Sequence, residues 1–492
     1  MGTARGLISY LDKEEMELLH AGALEIMRDV GMRINNREAL GYLRGYGCIV
    51  DYNTQIVKFP SDIVENAVRK MRKDYTLSGR CETAVPMRYG EMYFTTKPAV
   101  LNGDFTVNAG GFPAFVLDLD GKKREANMED VINSIRLADA LENIDLIGLP
   151  CSAVEVPMEL RPIIMTAELI KNTSKPGGIE TWNKNDIKYI TEMASAVRGG
   201  MKELKEKPFL IGYGETRSPL CLDNNMCEIF MEYIKMGLPQ SFDTMPNAGF
   251  TAPATSAGTI ALGLAETLVG LVLGYAIDEN ALVSLDVNPS LADMKSMVFP
   301  YAGADRIPLT AAINQMMREY YGRPGGCHAG KTDACYPGVQ AGFEKALSIL
   351  FPILAGATGI GTIGQLEGGL TFSYVQLVID NEIIGYIKRA LRGFDVNKEK
   401  LSLDAIKEIG IGGNFLQHED TVTNYRSEFY MSDILERMPL SSWETQDVKG
   451  LEEKARQKAM KIIKEHRCEP LDSDIAREID KIVCSAKAAL AK

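Results

Sequence analysis

The chain has 492 residues, of which 46% are hydrophobic and 24% charged, with a net charge of −12 at pH 7. That apolar share excludes a disordered chain, and the acidic balance lacks the basic footprint of a nucleic-acid binder. Nine cysteines scattered from Cys48 to Cys484 without a CxxC pair, and only four histidines, point to reduced thiols in a cytoplasm and to no metal site.

Met1–Leu11 has no apolar stretch, so no secretory signal is expected. Lys13–Val30 carries Met16, Leu19, Ala23, Ile26 and Met27 at helical spacing. Asn36–Tyr46 and Ser61–Met71 read as two more helices, the latter with Ser61 as its cap. Short strands are expected at Tyr75–Gly79 and Met92–Thr95, and a hairpin at Phe115–Asp118 and Lys123–Ala126 around the Asp120-Gly121 turn.

From about residue 98 short apolar or glycine-rich runs alternate with helical stretches. Eight strands are expected: Ala99–Asn102, Leu146–Cys151, Pro176–Thr181, Pro208–Tyr213, Gln240–Asp243, Ala281–Asp286, Gly325–His328 and Gly359–Gln365. The helices between and after them are Met128–Leu141, Glu159–Lys171, Lys184–Val197, Asn224–Met236, Thr255–Ala276, Thr310–Tyr321, Gln340–Ala355 and Tyr374–Leu391. Eight strands alternating with eight helices make an α/β protein, a (β/α)₈ TIM barrel with N- and C-terminal extensions. The division expected is 1–97 as an N-terminal helical and strand extension, 98–394 as the barrel and 395–492 as a C-terminal helical extension. A doubly wound sheet is the runner-up, without a strand–GxGxxG–helix unit to support it. The apolar run Thr259–Ile277, interrupted by Glu266, is expected to be a buried helix and not a membrane span. After Asp395 the reading gives a helix at Lys398–Ile409, a loop over Gly410–Tyr430, and charged helices at Asp447–Cys468 and Ser473–Ala491 lying outside the barrel or on a neighbouring subunit.

Function in such a barrel gathers at the C-terminal strand ends. There the sequence offers Asn102 and Asp104, Trp182, Tyr213, Glu215 and Arg217, Asp243, His328, Lys331 and Asp333, and Gln365 and Glu367. A carboxylate follows every expected strand. Converging, these would form an acidic funnel for a cation, and Trp182, Tyr213, Tyr336 or Phe372 could add a cation–π wall. Single carboxylates can equally be helix caps. His328 is a candidate acid or base, and His418 either functional or a loop-orienting residue. His20 and His466 are expected on helix surfaces. Cys327 beside His328 resembles a nucleophile–base pair only in sequence, since neighbours on a strand face opposite ways. Gly177-Gly178 and Gly325-Gly326 either admit a bulky ligand to the backbone or are turns.

Three motifs carry a resemblance. Gly359-Ile360-Gly361-Thr362-Ile363-Gly364-Gln365-Leu366-Glu367-Gly368-Gly369, Gly412-Gly413-Asn414-Phe415-Leu416-Gln417-His418, and Pro246-Asn247-Ala248-Gly249 with Thr251-Ala252-Pro253 are, in order, similar to the trimethylamine methyltransferase superfamily, MttB. The resemblance spans about Leu11 to Ala459. It implies a (β/α)₈ barrel and methyl transfer from an amine to the cob(I)alamin of a separate corrinoid protein. Founding members carry pyrrolysine, expected within Gly325–Tyr336, where this chain has only standard residues. It therefore resembles the non-pyrrolysine branch, which demethylates quaternary amines: glycine betaine first, with proline betaine or carnitine as further candidates. A quaternary nitrogen already leaves as a neutral amine, so the enzyme mainly orients and desolvates it.

The expected catalytic residues are then His328, Asp243 and Glu367. Substrate contacts are expected from Asn102, Asp104, Trp182, Tyr213, Glu215, Arg217, Lys331, Asp333, Tyr336, Gln365 and Phe372, with Arg217, Lys331 or His328 meeting a substrate carboxylate. Gly330, Gly361, Gly364 and His418 are expected at the corrinoid, which is cobalamin supplied by the partner protein; no metal, nucleic acid or membrane is expected, and a cytoplasmic homo-oligomer is. A betaine-binding regulatory barrel and a barrel lyase with a carboxylate base are the alternative functions.

Overall fold

The computed structural model describes residues 8–71, 75–80, 91–94, 105–323, 325–445 and 449–490. Its centre is a ring of eight parallel strands, each followed by a helix. In chain order they are β1 (Thr106–Ala109), α1 (Met128–Ala140), β2 (Leu146–Ile147), α2 (Arg161–Asn172), β3 (Gly177–Gly178), α3 (Lys184–Arg198), β4 (Leu210–Glu215), α4 (Asn224–Lys235), β5 (Gln240–Thr244), α5 (Ser256–Ile277), β6 (Val283–Val287), α6 (Arg306–Gln315), β7 (Gly326–Cys327), α7 (Val339–Leu354), β8 (Gly359–Ile360) and α8 (Tyr374–Arg392). β3 to β6 pair in register, as do β7, β8, β1 and β2, with Gly359 opposite Thr106. The amide of Ile147 donates to the Pro176 carbonyl (2.9 Å) across the β2–β3 boundary. Between β6 and β7 side chains complete the ring: Asn288 Oδ1 accepts from the His328 amide (2.7 Å), and Arg323 Nη1 donates to the Val283 carbonyl (2.5 Å). The (β/α)₈ barrel expected from alternation is thus the observed architecture.

The expected first strand, Ala99–Asn102, lies outside the described residues; the strand that closes the ring is Thr106–Ala109. Its Thr-Val-Asn-Ala sequence alternates partly buried polar with buried apolar residues, a pattern weaker than an apolar run. The remaining seven strands and all eight helices fall where the alternation puts them, with most strands shorter than expected. Helix ends follow local chemistry. Asn127 and Asn183 head α1 and α3 with reciprocal capping boxes. Ser61 heads its helix (Ser61–Lys70) without a side-chain cap, contrary to expectation, and Pro60 precedes it.

Two apolar cores lie between barrel and helices, and each extension completes one. The N-terminal helices Lys13–Glu25, Arg37–Tyr46 and Ser61–Lys70 add Met16, Leu40, Leu43 and Val64 to the core around α5 and β6. α5 is therefore covered on all sides, which explains why it is apolar all round. It is the one helix among the described residues long and apolar enough to cross a membrane, and 83% of its apolar window is buried inside the protein. The C-terminal helices Leu451–Glu465 and Ser473–Leu490 add Ala455, Ala459, Ile479 and Ile482 to the core around α1, α2 and α8. Of the two histidines expected on helix surfaces, His20 is instead buried against Tyr321 Oη (2.9 Å), while His466 is half-exposed with Nε2 2.7 Å from Asp139. The expected loop Gly410–Tyr430 contains a helix, Glu419–Glu428, whose cap is His418 itself, Nδ1 accepting from the Asp420 amide (3.1 Å).

The expected hairpin is present as Phe115–Leu117 and Lys123–Glu125. It belongs to the connection after β1 and joins a small sheet over the barrel mouth: Thr371–Ser373, from the connection after β8, pairs with Phe115–Leu117.

Candidate functional site

Strand parity builds the site. In β4, Tyr213 and Glu215 are two residues apart and share the inward face; in β5, Ser241 and Asp243 do the same. With Asn108, Phe112, Met245, His328, Lys331, Gly361 and Thr362 they line a cavity of about 310 Å³ at the C-terminal ends of the strands. Phe112 stacks on Tyr213 with ring centroids 6.0 Å apart. A smaller cavity of about 160 Å³ lies beneath it in the barrel lumen, sharing Asn108, Gly178, Ile211, Ser241, His328 and Gly361 with the first.

Two carboxylates face the upper cavity. Asp243 Oδ1 accepts from the Thr244 amide (2.7 Å) and Asn288 Nδ2 (2.9 Å), and Oδ2 lies 3.8 Å from His328 Nε2. Burial, reinforced by Asp286 and Glu215, holds Asp243 well above the usual carboxylate range. Burial also raises Glu215, with Asp223 adding to the effect and Lys331 opposing it. The Lys331 ammonium stands over the Tyr301 ring, 4.1 Å from its centroid. Burial, with Arg306 nearby, lowers it to about 8 despite Asp243 and Glu215. Burial and the positive charges of Lys331 and Arg306 pull His328 down to about 3, so its imidazole is neutral, and its buried Nδ1 has no hydrogen-bond partner among the described residues. Burial thus shifts the two carboxylates and the amine of the cavity towards their uncharged forms.

Two buried networks hold these walls. On α5, Glu266 accepts from the Leu220 amide (2.7 Å), Ser218 Oγ (2.6 Å), Thr216 Oγ1 (3.1 Å) and Thr244 Oγ1, tying the ends of β4 and β5 together. On α7, Lys345 donates to the Gly330 carbonyl (2.5 Å) and Asp380 Oδ2 (2.7 Å), while Asp380 also accepts from the Gly364 amide (2.6 Å). That pair fixes the segments after β7 and β8.

The structure brings Asp243, His328, Tyr213, Glu215, Lys331 and Gly361 together, as the sequence suggests. Among the described residues it does not bring the others to the cavity. Asn102 and Asp104 lie outside the described residues. Glu367 takes an ion pair from Lys123 (2.5 Å) and a hydrogen bond from Thr371, latching the hairpin over the mouth, and it does not line the cavity. Asp333 accepts from the amides of Tyr301 (2.8 Å) and Ala302 (2.9 Å) and is a loop brace. Trp182 donates to Glu180 (2.5 Å) beneath the Arg161 guanidinium. Arg217 projects into solvent beside Asp223. Tyr336 is exposed and Phe372 is core. Gln365 donates to the Gly110 carbonyl (2.5 Å), behind the wall. Gly330 packs on the Gly361 carbonyl and Gly364 on Leu377, away from the cavity. His418 caps the helix Glu419–Glu428, whose last carbonyls, Ser427 and Glu428, accept from Arg392 and Arg389 at the C-terminal end of α8, and it does not line the cavity. Sequence reasoning missed Asn108, Phe112, Ser241 and Thr362. Ser241 is legible as the residue two before Asp243. Thr362 shows its role only in the backbone, a β-branched residue at φ 65° in the cavity wall. The eight described cysteines carry no disulfide.

A parallel-strand barrel with a deep polar cavity at its C-terminal mouth is the frame of a small-molecule enzyme, and the comparisons give its kind. Residues 3–491 match the family model for trimethylamine methyltransferase (MTTB). Trimethylamine methyltransferase MttB of Desulfitobacterium hafniense is 30% identical over 97% of this chain and 94% of its own. Glycine betaine methyltransferase of the same species is 25% identical over 98% of both. The crystal structure of the Methanosarcina barkeri monomethylamine methyltransferase (MtmB) superposes with a TM-score of 0.50 at 12% identity, over 99% of this chain and 95% of that one, which shows a shared fold. The chain belongs to the trimethylamine methyltransferase (MTTB) family.

Proposed function

We propose that this protein takes a methyl group from a quaternary ammonium compound of the betaine kind and passes it to the cob(I)alamin of a separate corrinoid protein. The observation that carries the reading is the cavity's charge balance. Glu215 and Asp243 stand beside the stacked Phe112 and Tyr213, and the one ammonium lining the cavity with them, Lys331, is lowered to about 8. A quaternary cation entering there favours the ionised form of both carboxylates and lies against aromatic faces. Of the three cations suggested for a substrate carboxylate, Lys331 alone is placed to meet it, since Arg217 is exposed and His328 uncharged. The likeness to a glycine betaine methyltransferase supports a quaternary substrate, and the absence of any residue beyond the standard twenty fits a substrate that needs no activation.

In the transfer the C–N electron pair stays on nitrogen, which leaves as a neutral tertiary amine. The methyl carbon bonds to the acceptor cobalt through the pair that cob(I)alamin supplies, and no proton moves. The chain's own part is to fix the nitrogen and exclude water. Gly110 and Gly111 leave part of the cavity wall without side chains, which suits approach by a flat macrocycle.

The test is anaerobic incubation with chemically reduced cob(I)alamin and glycine betaine, proline betaine, carnitine or tetramethylammonium, followed by the methylcobalamin spectrum. Methylcobalamin with the matching demethylated amine is the expected result. No methylcobalamin from any of the four overturns the reading.

A further inference from the structure

The lower lumen is the part of the barrel that the proposed transfer leaves unexplained. Inward positions of such barrels ordinarily carry branched side chains that fill the interior in layers. Here Gly178, Gly326, Gly359 and Gly361 line it instead. None of the four has the left-handed backbone that calls for glycine. A Cβ at any of them would meet no atom nearer than 3.4 Å. Neither backbone conformation nor close packing explains them, and a void in a core costs stability. The space they leave, about 160 Å³, is an order of magnitude more than the roughly 10–15 Å³ one water requires. At the waist between the two cavities, Asn108 Oδ1 and His328 Nδ1 are buried without hydrogen-bond partners among the described residues.

The direction of transfer says what fills it. The acceptor approaches from outside the mouth and attacks the methyl carbon opposite the nitrogen, so the other three substituents on nitrogen point down the barrel. We propose that the lower lumen is a tail subsite, and that the substrate is a quaternary ammonium bearing a chain of four or more heavy atoms with a hydrogen-bonding group at the waist. This rests on the function proposed above and narrows its substrate class: glycine betaine is short enough to leave the lower lumen unused.

The test compares tetramethylammonium, glycine betaine and the ω-trimethylammonio acids with two, three and four methylenes, in the wild type and in Gly326→Val and Gly359→Val, which line the lower lumen and not the upper cavity, by methylcobalamin formation and by titration calorimetry. kcat/KM is expected to rise at least tenfold from glycine betaine to the three- and four-methylene acids. The valine variants should erase that rise while leaving tetramethylammonium turnover unchanged. A flat or falling series, or valine variants that slow every substrate alike, overturns the tail subsite and leaves the methyl transfer standing. If no compound yields methylcobalamin, the transfer reading fails, and calorimetry decides the subsite alone: affinity that grows with chain length and is lost in Gly326→Val upholds it, and uniform affinity overturns it.

Discussion

Two buried lysines fourteen positions apart on the same connection and helix have opposite surroundings. Lys345 is fully buried, with Asp380 at 2.7 Å and the Gly330 carbonyl at 2.5 Å. Lys331 is buried over an aromatic ring, and among the described residues no carboxylate pairs with it. The first has its charge compensated inside the protein and serves the scaffold. The second is left short of compensation in a cavity, the condition under which a charged group remains available to a ligand.

Breaking the scaffold side should give the largest effect. Lys345→Ala strands Asp380 in the core and is expected to cost on the order of 3–5 kcal/mol in urea unfolding. Lys345→Met with Asp380→Leu removes both charges and should recover most of that loss, so a double variant as unstable as the single one refutes the pairing. The cavity side should respond in binding and not in stability. Glu215→Gln is expected to raise KM for a quaternary substrate about tenfold, a loss of about 1.4 kcal/mol, with the melting temperature nearly unchanged.

Lys331→Met sharpens the contrast through pH. Because Lys331 is lowered to about 8 from 10.5 in the fold, the unfolded chain binds the extra proton between those values. Wild-type stability should therefore rise with pH from about 8 upward relative to Lys331→Met, which lacks the effect. Tetramethylammonium affinity should strengthen as pH passes 8 and Lys331 discharges, and glycine betaine, whose carboxylate uses that charge, should weaken. The same sign for both ligands would remove Lys331 from the cavity's charge balance. Lys123→Ala, which frees a half-exposed ion pair with Glu367, should cost no more than about 1 kcal/mol.

How much was legible follows from periodicity. Long helices such as α5 and α8 announce themselves, and a strand like Gln240–Thr244 sits between two of them. Thr106–Ala109 did not, because its inward positions face an open lumen and carry Thr and Asn where a packed barrel would carry Val or Ile. The site followed a finer rule. Position after a strand nominated Glu215 and Asp243, which line the cavity, but also Asp333 and Glu367, which do not, and only the turn of the loop decides whether a carboxylate faces the cavity or braces the rim. His418 shows the limit of a motif: Gly412–His418 carries part of the resemblance, yet its histidine caps the start of a helix and does not line the cavity.

The pairing of Thr371–Ser373 with Phe115–Leu117 has a mechanical side. The first and last strands of the ring already meet at Gly359 and Thr106, and this second seam, one storey higher, stitches the beginning of the barrel to its end again. The connection after β7 joins the same unit, because the Glu367 and Gly368 amides donate to the Ala334 and Thr332 carbonyls, so this side of the mouth, from the connection after β7 round to that after β1, is held as one body.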